Sequence, residues 1–225
     1  LQRHYLIKVL FPKVDNLMAD IFDEIDEDLK RDHMQLLWAR YGKIVIAVVL
    51  AIVLLVAVRQ GYTAWQTSRA EASASAYQQA LQSNDVVGAL EAQLSQLSAG
   101  YKMLAQFQIA AEHAASGDFV AAEARYLRLA SDGSVDPLYQ QAATLLSVMV
   151  APRDVDISSL KARLSNLETA AGPWQAMALE TGAGLALRNG NKDTAVLKYK
   201  RIMEMGDVPV GLRQRAQRMI VILND

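Results

Sequence analysis

Few residues in this chain have the types and spacing that catalysis or metal binding requires. The three histidines, His4, His33 and His113, lie in separate regions, and none has a second histidine at metal-ligand spacing. The absence of cysteine excludes thiolate nucleophiles, disulfides and cysteine-ligated zinc. The stretch GAGLALRNG lies in a predicted helix with no strand before it, so Gly182 and Gly184 are expected to permit close helix packing rather than to bind phosphate. The sequence therefore predicts no catalytic, metal or cofactor-binding residue, and a protein that is not an enzyme.

Several polar and aromatic residues instead have the chemistry for binding a peptide. They fall on the predicted first helices of successive helical pairs: Lys102, Gln106, Gln140, Gln141, Trp174 and Gln175. In a helical repeat array the first helices line a groove that accommodates a peptide or a partner helix. These six residues are therefore the predicted partner-binding groove. The alternative for each is an ordinary solvated or packing residue.

A second charged group lies near the carboxy terminus. Its basic residues are Lys198, Lys200, Arg201, Arg213, Arg215 and Arg218, against the acids Glu204 and Asp207. Such a stretch can contact acidic partners or phospholipid headgroups, or it can be the solvated face that a terminal repeat needs for solubility; we favour the solvated face. The net charge of the chain is −1, so nothing indicates nucleic acid as a partner.

The elements that position these residues are predicted to be helices. Past Trp65 the chain is rich in alanine, leucine and glutamine, and apolar residues recur three and four positions apart. Breaks at Gly117, Asp136-Pro137, Gly172-Pro173 and other turn residues divide the chain into helix pairs. The pairs repeat about every 33 to 37 residues, the period of a helical-hairpin solenoid.

Two segments carry the tetratricopeptide pattern: GDFVAAEARYLRL, from Gly117, and GNKDTAVLKYKRI, from Gly190. In each, glycine permits the positive φ of the turn, a following alanine permits close helix crossing, and a tyrosine fills the space towards the next repeat. The pattern predicts an all-α fold in which residues 66–225 form about four tetratricopeptide-like hairpins and a C-terminal capping helix. The residues predicted to be buried in the two helices after Gly117 are Phe119, Ala122, Tyr126, Leu129, Leu138, Ala142, Leu145, Leu146 and Met149.

The apolar run KIVIAVVLAIVLLVAVR precedes this domain. The fifteen residues between Lys43 and Arg59 span about 22 Å as a helix, and the two flanking side chains can extend to the interfaces of a ~30 Å hydrocarbon core. Aromatic residues frame the run on both sides, as in an interfacial belt: Trp38, Tyr41, Tyr62 and Trp65. The run predicts a transmembrane helix over residues 43–62, with lipid around Ile44 to Val58.

This span is interpreted as an uncleaved signal anchor. It follows a long acidic segment rather than a short basic one, and the small-residue stretch AEASASA lies too far downstream to be its cleavage site. The basic residues before the span are Lys30, Arg31, Arg40 and Lys43, and those after it are Arg59 and Arg69. This bias predicts a cytoplasmic amino terminus and an extracytoplasmic repeat domain.

The segment before the span divides in two. Residues 1–17 begin with Leu1 and show no clear period, whereas Met18 would make a natural start, so we interpret them as a leader that is not native; a genuine leader with an alternative start codon is the other interpretation. Residues 18–42 are acidic and predict a short amphipathic cytoplasmic helix that contacts a partner protein. Its apolar face comprises Ile21, Phe22, Ile25 and Leu29.

Together, the acidic tail, the single span, the segment AWQTSRAEASASAYQQAL and the four-hairpin domain resemble the YfgM-type family over residues 18–225. Members of that family are ancillary subunits of the bacterial Sec translocon. The resemblance implies an inner-membrane anchor, a periplasmic repeat domain, and the SecYEG channel with exported clients or periplasmic chaperones as partners. The extra leader departs from the family's layout. The alternative function is a membrane-tethered scaffold for envelope assembly or cell division.

Overall fold

The structure is a computed structural model that describes the backbone of residues 14–224 and the side chains of residues 38–224. Of the predicted leader, residues 1–17, the first thirteen lie outside the described residues and the last four begin the first helix. The apolar face predicted for the acidic segment also lies outside the described residues, because its side chains precede residue 38.

Over residues 14–224 the chain forms nine α-helices and no strand, which confirms the all-α prediction. The helices are α1 (Val14–Leu81), α2 (Val86–Gln93), α3 (Ala99–Ala115), α4 (Phe119–Ser131), α5 (Pro137–Met149), α6 (Ile157–Thr169), α7 (Gln175–Arg188), α8 (Lys192–Glu204) and α9 (Val210–Asn224).

The chain divides into two compact units, one ending at Gln66 and the other beginning at Thr67. In the second unit α3 pairs with α4, α5 with α6, and α7 with α8, while α9 packs on α8. The end of α1 shares an apolar cluster with α2 and α3. This arrangement confirms the predicted four hairpins and capping helix. We call α3, α5, α7 and α9 the first helices, and α2, α4, α6 and α8 the second helices.

Short polar side chains cap the amino termini of most of these helices. Asp85, Asp118, Asp136, Asp156 and Asn191 each accept a backbone N–H of the helix that follows, over 2.8–3.0 Å. Each such cap contributes about 1 kcal/mol of stability. Gly117 and Gly190 have φ of +86° and +73°, and no other described residue has a positive φ. The turns predicted from the two tetratricopeptide segments are therefore confirmed.

The second helices share one register of buried residues. The fourth, eighth and eleventh residues of α4, α6 and α8 are all buried: Ala122, Tyr126, Leu129, Leu160, Leu164, Leu167, Ala195, Tyr199 and Ile202. In α6 two leucines replace the small alanine and the large tyrosine of the other two helices. Two medium side chains fill a space similar to that of one small and one large side chain, so the hairpin forms without the consensus residues.

Three predicted core positions were wrong. Phe119, Leu138 and Met149 are 42–53% exposed, whereas the other residues of the predicted faces are buried or half-buried. Phe119 begins α4, Leu138 lies in the first turn of α5, and Met149 ends α5. The apolar stripe continues to the ends of these helices, but the neighbouring helices do not cover it there.

The two glycines of α7 also differ from each other. A Cβ atom on Gly182 would lie 1.8 Å from Oε1 of Glu168, so this glycine leaves room for a side chain of the preceding hairpin, as expected. A Cβ atom on Gly184 would meet nothing within 4 Å, so the expectation of close packing was wrong there.

An ion pair joins each hairpin to the next element along the chain. The pairs are Glu91–Arg125, Glu123–Arg163, Glu168–Lys198 and Glu180–Arg215. The first three join successive second helices, and the last joins α7 to α9. In every pair the acid lies on the earlier helix and the base on the later one. Arg125, Arg163 and Lys198 are each the seventh residue of their helix.

Candidate partner-binding surfaces

One described helix is long and apolar enough to cross a membrane. It is the part of α1 over Trp38–Leu81, and only 6% of its most apolar window is buried. Every residue from Ile44 to Val58 is exposed, as expected of side chains that face lipid rather than a protein core. Tyr62 and Trp65 contact each other at one end of the apolar run, with ring centroids 6.1 Å apart. Residues 43–62 are therefore a candidate membrane span.

A cavity of about 330 Å³ lies on the first-helix side of the repeat domain, between α3 and the connection that leads into α5. Lys102 and Gln106 line it from α3, together with Met103. Tyr139 lines it from the first turn of α5. We call this the first-helix cavity. It combines an amide, an ammonium group and apolar surface, a mixture that is typical of binding pockets.

The opposite wall of the first-helix cavity is acidic. The carboxylate of Asp132 accepts the hydroxyl of Ser134 over 2.7 Å and its backbone N–H over 2.9 Å. These hydrogen bonds, with a smaller contribution from the charge of Lys102, hold the pKa of Asp132 below its ordinary value. Asp136, which caps α5, adds a second carboxylate. The cavity thus presents two carboxylates and one ammonium group, which suits a peptide with a basic side chain.

Three other predicted groove residues donate hydrogen bonds to the backbone of the domain itself. The amide of Gln140 donates to the carbonyls of Asp132 and Val135, over 2.8 and 2.9 Å. The indole Nε1 of Trp174 donates to the carbonyl of Leu138 over 2.9 Å.

Gln175 behaves in the same way, since its amide donates to the carbonyl of Glu168 over 3.1 Å. Gln141 is exposed on α5. The structure therefore brings Lys102 and Gln106 together at the cavity. It places the amide of Gln140, on α5, against the turn that precedes this helix, Trp174 against the start of α5, and Gln175 against the end of α6.

Sequence reasoning did not single out Asp132, Ser134 or Tyr139 as part of this surface. Tyr139 follows the Asp136-Pro137 helix start, and this was the one available signal, since a side chain in a first helical turn lies beside the preceding loop.

No group of three or more histidine, aspartate or glutamate side chains within residues 38–224 is arranged to hold a metal ion.

Comparison with known proteins bears on the fold. Residues 36–216 match the family described as the tetratricopeptide repeat-like domain. The chain belongs to this family. The match includes all four hairpins of this tetratricopeptide repeat-like protein and the first part of its capping helix, up to Ala216. No curated protein and no solved structure matches it. Helical repeats of this kind typically serve as non-enzymatic interaction scaffolds, and the family supports a role in protein–protein interaction.

Proposed function

We propose that this protein is a membrane-anchored accessory subunit of the Sec export channel, which binds exported clients or periplasmic chaperones through its first-helix cavity. The observation that carries the proposal is an uncovered apolar helix in the same chain as a tetratricopeptide-like domain with a polar, peptide-sized cavity. The resemblance to the YfgM-type family supports the choice of the Sec channel. In this proposal Lys102, Gln106 and Gln141 contact the partner, while Gln140, Trp174 and Gln175 hold the surrounding backbone in place.

The span supports this role through its composition. The residues from Ile44 to Val58 carry no polar side chain, so they can tether the protein or pack against another membrane protein but cannot conduct ions or catalyse a reaction. Only a short stretch of chain, from Arg59 to Gln66, separates the run from the repeat domain. A short tether raises the local concentration of a partner to roughly millimolar, so a weak binding cavity suffices.

The proposal places the repeat domain in the periplasm of a bacterium and the amino terminus in the cytoplasm. Alkaline phosphatase fused after Asp225 is expected to be active, because the excess of basic residues before Ile44 retains that side in the cytoplasm. A fusion before Lys43 is expected to be inactive. Colony colour and enzyme assays in a bacterial host measure both fusions. The reverse pattern would refute the orientation and the export function with it.

Photo-crosslinking tests the two partners separately. A photoreactive amino acid at Leu50 or Leu54 is expected to trap a SecYEG subunit, and one at Lys102 or Gln106 an exported protein or a chaperone. The same amino acid at Ser165, exposed on second helix α6, is the matched control and is expected to trap neither. Mass spectrometry identifies the products. If the span positions trap only lipid and the cavity positions trap a cell-wall or division protein, the Sec assignment is wrong and the tethered scaffold replaces it.

A further inference from the structure

The basic carboxy-terminal stretch divides into residues with and without a structural partner. Lys198 pairs with Glu168, and Arg215 pairs with Glu180 through two hydrogen bonds of 2.7 and 2.8 Å. Arg213 donates to the carbonyls of Met205 and Gly206. In the part of the chain that the structure describes, no such contact accounts for the three others, Lys200, Arg201 and Arg218. Three of the six basic residues therefore have a structural role in the fold, and the other three can contact a partner.

Two of these three cations line one groove. The groove has a volume of about 490 Å³ and lies between second helices α6 and α8, with Leu179 of α7 among its lining residues. Lys200 and Arg201 belong to its lining, whereas Arg218 does not. We call this the second-helix groove. It is larger than the first-helix cavity and is formed by different helices.

The charges around the second-helix groove favour an anion of moderate charge. The carboxylate of Glu168 is neutralised by Lys198 and held beside Gly182, where there is no side chain to displace it. The two positive charges of Lys200 and Arg201 then exceed the one remaining negative charge, that of Glu204. A carboxylate such as Glu204 repels the oxygens of a phosphate-rich surface, but it can accept a peptide N–H.

The groove also offers apolar surface. Leu197 lines the groove beside the two cations, and its side chain is 66% exposed. Thr194 of α8 and Thr169 of α6 add hydroxyl groups to the lining. The combination of two cations, one exposed leucine and nearby hydrogen-bonding groups matches a peptide that alternates acidic and apolar residues.

We propose that the second-helix groove binds an acidic peptide segment, whose carboxylates contact Lys200 and Arg201 and whose apolar side chains cover Leu197. This site goes beyond the proposed export function. It lies on the second helices and depends neither on the span nor on the first-helix cavity, so either proposal can fail alone.

The test uses the full-length protein in a mild detergent and a short fluorescent peptide of alternating glutamate and leucine. The same peptide with glutamine in place of glutamate is the matched probe. Fluorescence anisotropy is expected to show that the acidic peptide binds at least about tenfold more tightly, and that added salt removes this difference by screening the charges. K200E/R201E is expected to lose the preference for the acidic peptide, and Leu197→Gln to weaken binding of both peptides.

Arg218→Glu is the matched control, because it reverses a cation outside the groove, and it is expected to retain the preference. All substituted side chains are exposed or at the groove, and circular dichroism verifies that each variant keeps the helical fold. Equal binding of the two peptides by the wild type, or equal losses in R218E and K200E/R201E, would overturn the proposal. So would a wild type that binds no peptide but retains phosphatidylglycerol that K200E/R201E loses, since the groove would then bind a lipid headgroup.

Discussion

Replacing Tyr126 with alanine is expected to lower the free energy of unfolding of the repeat domain by about 3 to 5 kcal/mol. Tyr126 is only 4% exposed, and its ring centroid lies 5.9 Å from that of Phe107 on the preceding helix. It belongs to a cluster with Ala110 of α3 and Ala143 of α5, so it links two hairpins. Removing the ring leaves a cavity that these rigid helices cannot close.

Tyr126→Phe is the matched control because it keeps the ring. No hydrogen bond of the hydroxyl appears among the described residues, and burial raises the pKa of Tyr126, as expected for a phenol in apolar surroundings. The phenylalanine variant is therefore expected to lose less than about 1 kcal/mol. Urea titration of the full-length protein in detergent, followed by circular dichroism, measures both. A loss below ~1 kcal/mol for Tyr126→Ala would show that the ring does not join the two repeats.

Arg163→Met is expected to lower the free energy of unfolding by about 3 kcal/mol, because it leaves the largely buried carboxylate of Glu123 without its partner. The side chain of Glu123 is 11% exposed, and its Oε1 atom lies 2.6 Å from Nη1 of Arg163. Methionine keeps most of the length of the arginine side chain, so the loss reports the unpaired charge rather than lost packing.

A double-mutant cycle separates charge from packing. The double variant Glu123→Met/Arg163→Met is expected to be more stable than Arg163→Met alone. The single variant buries an unpaired carboxylate, and the double variant does not. Arg215→Met provides a second comparison. The ion pair of Arg215 with Glu180 is more exposed, so Arg215→Met is expected to lower the free energy of unfolding by less than Arg163→Met does. If the two arginine variants lose equal stability, burial of Glu123 does not govern the effect.

The hairpins that follow the tetratricopeptide pattern could be predicted residue by residue. Gly117 and Gly190 have the positive φ their turns require, and Tyr126 and Tyr199 are buried. The hairpin of α6 could be predicted only from its helical period. Its buried positions hold leucines such as Leu164 in place of tyrosine, and a consensus defined by residue type does not detect an exchange that conserves volume.

The candidate binding surface could be predicted only in part, for a different physical reason. Helical spacing indicates which face of a helix is polar, and the predicted groove residues Lys102 and Gln106 both line the first-helix cavity. Spacing does not indicate whether a polar side chain will bond to a nearby loop. Gln140 and Trp174 do so because the carbonyls of Asp132 and Leu138 lie within reach, and this depends on loop conformations that spacing does not encode.

The common polarity of the ion pairs between hairpins makes neighbouring hairpins compatible in charge. Glu123 presents an acid to the next second helix, and Arg163 and Lys198 each present a base at the same position of theirs. If α5 and α6 were deleted together, α4 would still offer an acid to a base on α8. An array built in this way can lengthen or shorten by whole hairpins without placing like charges opposite each other.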